Sequence, residues 1–144
     1  MNKAIFIICV LFSGAMMQDC NTANWQQYSP NLNNCYLENA NIAWTNLENA
    51  SFIGANLINA NLTGSNFSFS NFTNANLSGA DLTWAVFDEA VLIEANLSET
   101  GLGATSFINA DLTGADLTGA TFFNTDFSQA CLEGVVGLPF NSNG

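Results

Sequence analysis

From residue 37 to residue 132 every fifth position is a large apolar residue. The series runs Leu37, Ile42, Leu47, Phe52, Leu57, Leu62, Phe67 and onward without interruption to Phe122, Phe127 and Leu132. All 20 of these positions hold Leu, Ile or Phe, and two residues before each stands a small one: 13 Ala, 4 Thr, 2 Ser and Cys35. Asn or Asp usually lies between them. The unit therefore reads Ala-Asn/Asp-Leu/Phe-x-x, as in Ala-Asn-Leu-Ser-Gly at 75–79 and Ala-Asp-Leu-Thr-Gly at 110–114. A period of five matches neither the 3.6 of an α-helix nor the 2 of a strand. It would wind the apolar residues right round a helix, or throw alternate ones to opposite sides of a strand. What it demands is a chain that turns inward once per unit, with the small and the large residue facing a common axis and the other three facing out. The small residue is required because a narrow axis cannot hold two large side chains per unit at core density.

These uninterrupted units over residues 35–134 resemble the pentapeptide-repeat family. The resemblance implies an all-β fold, a right-handed quadrilateral β-helix in which four units make one square coil. About five coils then follow, at 35–54, 55–74, 75–94, 95–114 and 115–134. Stacked like parallel strands at about 4.8 Å per coil, they form a rod about 24 Å long. Residues 30–34, Pro-Asn-Leu-Asn-Asn, keep the phase as a degenerate first unit.

Taking every twentieth residue gives the columns of the rod. The third face places Leu47, Phe67, Phe87, Phe107 and Phe127 in register inside, an arrangement that favours aromatic stacking. Outside, the first face runs Tyr36, Asn56, Asn76, Asn96, Asp116, and stacked Asn amides are expected to bond to one another up the column. No outward column sets two carboxylates on adjacent coils, where they would repel.

The ends lack the period. Lys3 precedes an apolar run at residues 4–12, and Ser13-Gly14-Ala15 sets small residues for a cut after Ala15. This is the layout of a secretory signal peptide over residues 1–15, with a buried N-terminal strand or helix the alternative, and the run is too short to remain as a membrane span. The pattern predicts a secreted or periplasmic protein, or a thylakoid-lumen one in a photosynthetic host, with no membrane contact after cleavage. Residues 16–34, with Trp25 and Tyr28, are expected to cap the N-terminal end, and residues 135–144 to form a short C-terminal cap and tail. Of the four cysteines, Cys9 leaves with the leader. Cys20 and Cys35 are candidates for a disulfide, with Cys35 as a plain buried side chain the alternative, and Cys131 is expected to be a free thiol.

Charge narrows the function. The chain of 144 residues has one Lys or Arg, 12 Asp or Glu and no His, for a net charge of -11. Without histidine there is no Ser-His-Asp triad, Cys-His dyad or His-ligated metal. One lysine excludes a basic nucleic-acid site. The nearest approach to a metal site, Asp88 and Glu89 with Glu94 and Asp111, lacks the clustered oxygens that calcium requires. The sequence therefore predicts no catalytic, cofactor-binding or metal-ligating residue, no cofactor and no enzyme. Trp44 and Trp84 share one position on the second face with Gly64 between them, and Phe123 lies on the same face. Asp81 is the only acid there, whereas the other faces carry three or four each. Trp44, Trp84 and Phe123 are thus the candidate contact patch for a protein partner, the alternative being rings that lie flat along the coil and merely cover backbone. The expected function is an exported structural or protein-interaction module. The alternative, drawn from the resemblance, is a cytoplasmic mimic of duplex DNA that binds DNA gyrase in the manner of quinolone-resistance members.

Overall fold

A computed structural model of the chain describes residues 7–9, 18–20 and 31–139. Within 31–136 the backbone repeats every 20 residues. Parallel bridges join Asn31 to Ser51, Tyr36 to Asn56, Asn41 to Asn61 and Asn46 to Asn66, and continue so to Asp116 and Val136. One bridge per unit and four units per repeat make a four-sided coil, as the family resemblance implies. The Asn31–Ser51 bridge and the burial of Leu32 place residues 31–34 in the stack as the predicted first unit.

Each side is held by one pattern of main-chain bonds. The N–H of the large apolar residue donates to the second residue of the unit above, as from Leu57 to Asn76, and the N–H of that second residue donates to the unit below, as from Asn56 to Cys35. Most corners are β-turns in which the N–H of the small residue bonds to the carbonyl of the preceding large one, as from Ala60 to Leu57 at 3.0 Å, whereas the Thr45 N–H bonds instead to Ser65 Oγ. The fifth residue of every unit has positive φ, from Asn34 (57°) through Gly79 (69°) to Gly134 (70°), as the third residue of a type II turn does. The abundance of Asn and Gly at this position carried that signal, because they enter the left-handed region most readily.

The axis is dry and close-packed. The large apolar residues from Leu32 to Leu117 are all buried. On the third face Phe67, Phe87, Phe107 and Phe127 stack with ring centroids 4.9, 5.3 and 5.2 Å apart, as the column reading predicts. A second stack, Phe52 on Phe72 at 4.5 Å, runs up the fourth face and meets the first edge-to-face through Phe67 and Phe72. Where a hydroxyl replaces the small Ala it is satisfied internally. Ser65 donates to the Ile42 carbonyl, Thr105 to Leu82 and Ser70 to Phe67.

The asparagine column behaves differently from expectation. Amides bond across coils in one instance, Asn66 Nδ2 to Asn46 Oδ1 at 3.1 Å. The recurring partner is local: the side-chain oxygen of Asn56, Asn61, Asn76 or Asn96 accepts the N–H two residues on. Asp81, Asp111, Asp116 and Asp126 do the same. These are Asx turns, which satisfy the fourth N–H of the unit, a donor the coil above does not reach. Asp serves as well as Asn, which accounts for both occupying this position.

At the N-terminal end, β1 (Ile7–Cys9) pairs antiparallel with β2 (Gln18–Cys20) and with β3 (Cys35–Tyr36), in the order β2-β1-β3. Thus part of the predicted leader lies against the first coil. Cys35 is disulfide-bonded, and the side chain of Cys20, its predicted partner, lies outside the described residues. Cys131 is a free, exposed thiol as expected. Of the predicted N-terminal cap, Trp25 and Tyr28 lie outside the described residues, as do residues 140–144 of the tail.

Candidate interaction surface

The second face is built from residues 40–44, 60–64, 80–84, 100–104 and 120–124. Trp44 and Trp84 each hold the fifth place of their unit and each adopts positive φ, 59° and 61°. A left-handed conformation costs a residue with a Cβ about 1–2 kcal/mol, so a bulky indole there is a local expense that backbone preference does not favour. The conformation swings both rings onto the outer surface, where Trp44 is 71% and Trp84 58% exposed. Their centroids lie 6.2 Å apart, tilted by 34°.

Gly64, on the coil between them, makes the pairing possible. A Cβ built there would sit 2.3 Å from the Trp44 ring. The Trp44 indole therefore lies directly over the Gly64 backbone and reaches across one whole coil to Trp84. The sequence spacing of the two tryptophans and the intervening glycine signalled this contact. Phe123 is 73% exposed on the same face but is not in ring contact with either tryptophan; Gly103 and Ala104 of the fourth coil lie between it and Trp84.

Around the pair the surface is weakly charged. Asp81 is the one acid of the face. Burial raises its pKa, but hydrogen bonds from the Thr83 hydroxyl and N–H and from the Thr63 hydroxyl outweigh this and hold it below the ordinary value. It stays a carboxylate at neutral pH. One exposed aromatic escaped the sequence reading: Phe69 also has positive φ and is half exposed, but it belongs to the third face. No group of three metal-ligating side chains occurs among the described residues, and no helix there is long and apolar enough to cross a membrane.

The sequence matches no curated protein. Among solved structures, a trypsin-treated variant of QnrB1, a plasmid-mediated fluoroquinolone resistance protein, aligns with TM-score 0.62 at 20% identity over 81% of this chain and 62% of that one. The chain thus spans less than two thirds of the length of that relative. HetL, a pentapeptide repeat protein involved in heterocyst differentiation regulation from the cyanobacterium Nostoc sp. strain PCC 7120, aligns with TM-score 0.45 at 23% identity, over 70% of this chain and 65% of its own. The first likeness carries the fold, a right-handed quadrilateral β-helix. The family model for pentapeptide repeats matches residues 31–68, 65–102 and 102–136. With its five-residue phase, square coil and family match covering nearly the whole rod, the chain belongs to the pentapeptide-repeat family.

Proposed function

We propose that this protein is an exported, non-enzymatic scaffold that binds a protein partner through the tryptophan pair of its second face. The observation that carries the reading is the exposed Trp44–Trp84 pair on the least charged side of the rod. Both indoles hold an unfavourable backbone conformation and neither fills the core. Partner-facing aromatics of this kind dominate interface energetics when they become desolvated. Phe123 extends the same face. The DNA-mimic alternative calls for a continuous anionic stripe, whereas here the acids are divided among all four faces and are sparse in the first two coils.

Replacing Trp44 and Trp84 together with Ser is expected to leave the melting curve nearly unchanged and to remove the bound partner in a pull-down from the native compartment. An unchanged set of captured proteins would defeat the reading. Each lost hot-spot indole is worth about 2 kcal/mol or more, about thirtyfold in affinity.

Export rests on the leader pattern of residues 1–15. N-terminal sequencing of the protein from its host is expected to begin at Met16. Such a cut removes β1 and leaves the outer edge of β3 open. A chain that still begins at Met1 returns the cytoplasmic, gyrase-directed reading, which inhibition of gyrase supercoiling then tests.

A further inference from the structure

Seven of the nine glycines among the described residues hold positive φ, where glycine is the least costly residue; Gly101 and Gly103 do not. Nor do these two make room for a neighbouring side chain. Gly64 lies beneath the Trp44 indole, and Gly54 abuts the Asn34 amide. A Cβ at Gly101 would meet nothing beyond its chain neighbours nearer than Asp81 Oδ1 at 3.6 Å, and one at Gly103 nothing nearer than Thr83 Cγ2 at 3.5 Å. Glycine weakens an extended segment. With neither backbone angle nor internal packing calling for it, its remaining use is the close approach of something from outside.

The two glycines open a notch in the second face. Bridges stack Gly101 between Asp81 and Thr121, and the same 20-residue step stacks Gly103 between Thr83 and Phe123. Side chains on the two edges are therefore two coil spacings apart, about 9.6 Å. A flat group in van der Waals contact on both sides takes about 7–8 Å, which leaves room for one layer. The Trp44 ring shows that a flat group beds on bare backbone of this face, where it crosses Gly64. The floor of the notch also has a free donor. In most units the second residue is Asn or Asp, whose oxygen accepts the N–H two residues on, as Asn61 and Asp81 do. Gly101 has no such oxygen, and the Gly103 N–H has no acceptor among the described residues.

The occupant follows from charge and shape. No Lys, Arg or His occurs in the described rod, so the Asp81 carboxylate at the lower edge has no ionic partner there. Phe123 at the upper edge and Trp84 beside Thr83 are exposed rings, which attract a cation over their faces. A guanidinium suits this slot: it is flat, stacks on aromatic rings and donates two parallel N–H bonds to a carboxylate, whereas an ammonium is compact and strongly hydrated. We propose that the notch over Gly101 and Gly103 receives an arginine side chain of the protein partner, its guanidinium stacked against Phe123 and paired with Asp81. A main-chain carbonyl of the same segment takes up the Gly103 N–H. This rests on the second face being the partner surface and adds the chemical group that the partner presents.

The test uses the full chain, labelled for amide NMR, and blocked Gly-Gly-X-Gly-Gly peptides with arginine, lysine or the neutral isostere citrulline at the centre. The arginine peptide should shift the amide signals of Gly101, Gly103 and Phe123 saturably, and the other two should bind about tenfold more weakly or worse. Gly101→Asn restores the Asx oxygen and fills the notch with no change of charge. It should melt at or above the native temperature and bind the arginine peptide about tenfold more weakly or worse. Asp81→Asn keeps the turn acceptor and should lose as much, while Glu48→Gln, the same charge change on the third face, should lose nothing. Shifts spread over all four faces overturn the proposal, as does equal binding of the three peptides or binding indifferent to Gly101→Asn. In pull-downs, a partner lost on replacing Trp44 and Trp84 but kept by Gly101→Asn overturns the notch alone and leaves the tryptophan reading standing. Loss with both supports it.

Discussion

Leu82→Lys abolishes cooperative unfolding, while Thr83→Lys, one residue away, melts like the native protein. Leu82 is fully buried between Leu62 and Leu102 on the second face. Removing a core leucine costs about 2–5 kcal/mol, and placing an unpaired ammonium in the dry axis adds several more. That sum is comparable with the whole stability of a domain this size, about 5–15 kcal/mol. Thr83 points outward, and its N–H, which caps Asp81, survives the substitution. An outward change of this kind moves stability by about 0.5 kcal/mol or less. Thermal melts followed by circular dichroism read both variants, and equal stability would mean that the inward phase is wrongly assigned.

Phe87→Ala lowers stability by about 3–5 kcal/mol. Phe87 stands midway along the rod, stacked between Phe67 and Phe107 and edge-on to Phe72 at 5.3 Å. Its removal leaves a cavity where the two aromatic stacks meet, and it also weakens the interface between the halves of a linear repeat array. Urea unfolding should show a lower midpoint. A second transition should appear if the halves separate. A loss below about 1 kcal/mol would show that the neighbouring rings collapse into the gap.

The fold was legible because its determinant is periodic. Twenty inward positions in unbroken phase mark one inward turn per unit, the family resemblance supplies four units to a coil, and the bridges from Asn31–Ser51 to Asp116–Val136 follow that winding. The Trp44–Trp84 contact was legible for the same reason, since a 40-residue separation returns to one place on one face. The role of asparagine was not. A periodicity argument reads contacts between coils, whereas the oxygen of Asn76 or Asp81 is used within its own unit, two residues on. The left-handed fifth residue was partly visible in its Asn and Gly, but Trp, Phe, Glu, Ala and Gln at the same place obscured it. The partial burial of the last coil depends on what stacks beyond it, and an aperiodic end carries no such signal. The Phe52–Phe72 stack obeys the same twenty-residue spacing on the fourth face.

Because the main-chain bonds that hold coils together join each coil only to its immediate neighbours, tension along the rod has nothing to spread across. A pull on the two termini would peel coils one after another from the weaker end. Each release of 20 residues would lengthen the molecule by about 65 Å, since an extended chain spans about 3.3–3.6 Å per residue where a coil occupies about 4.8 Å. The protein would give way like a zip rather than snap.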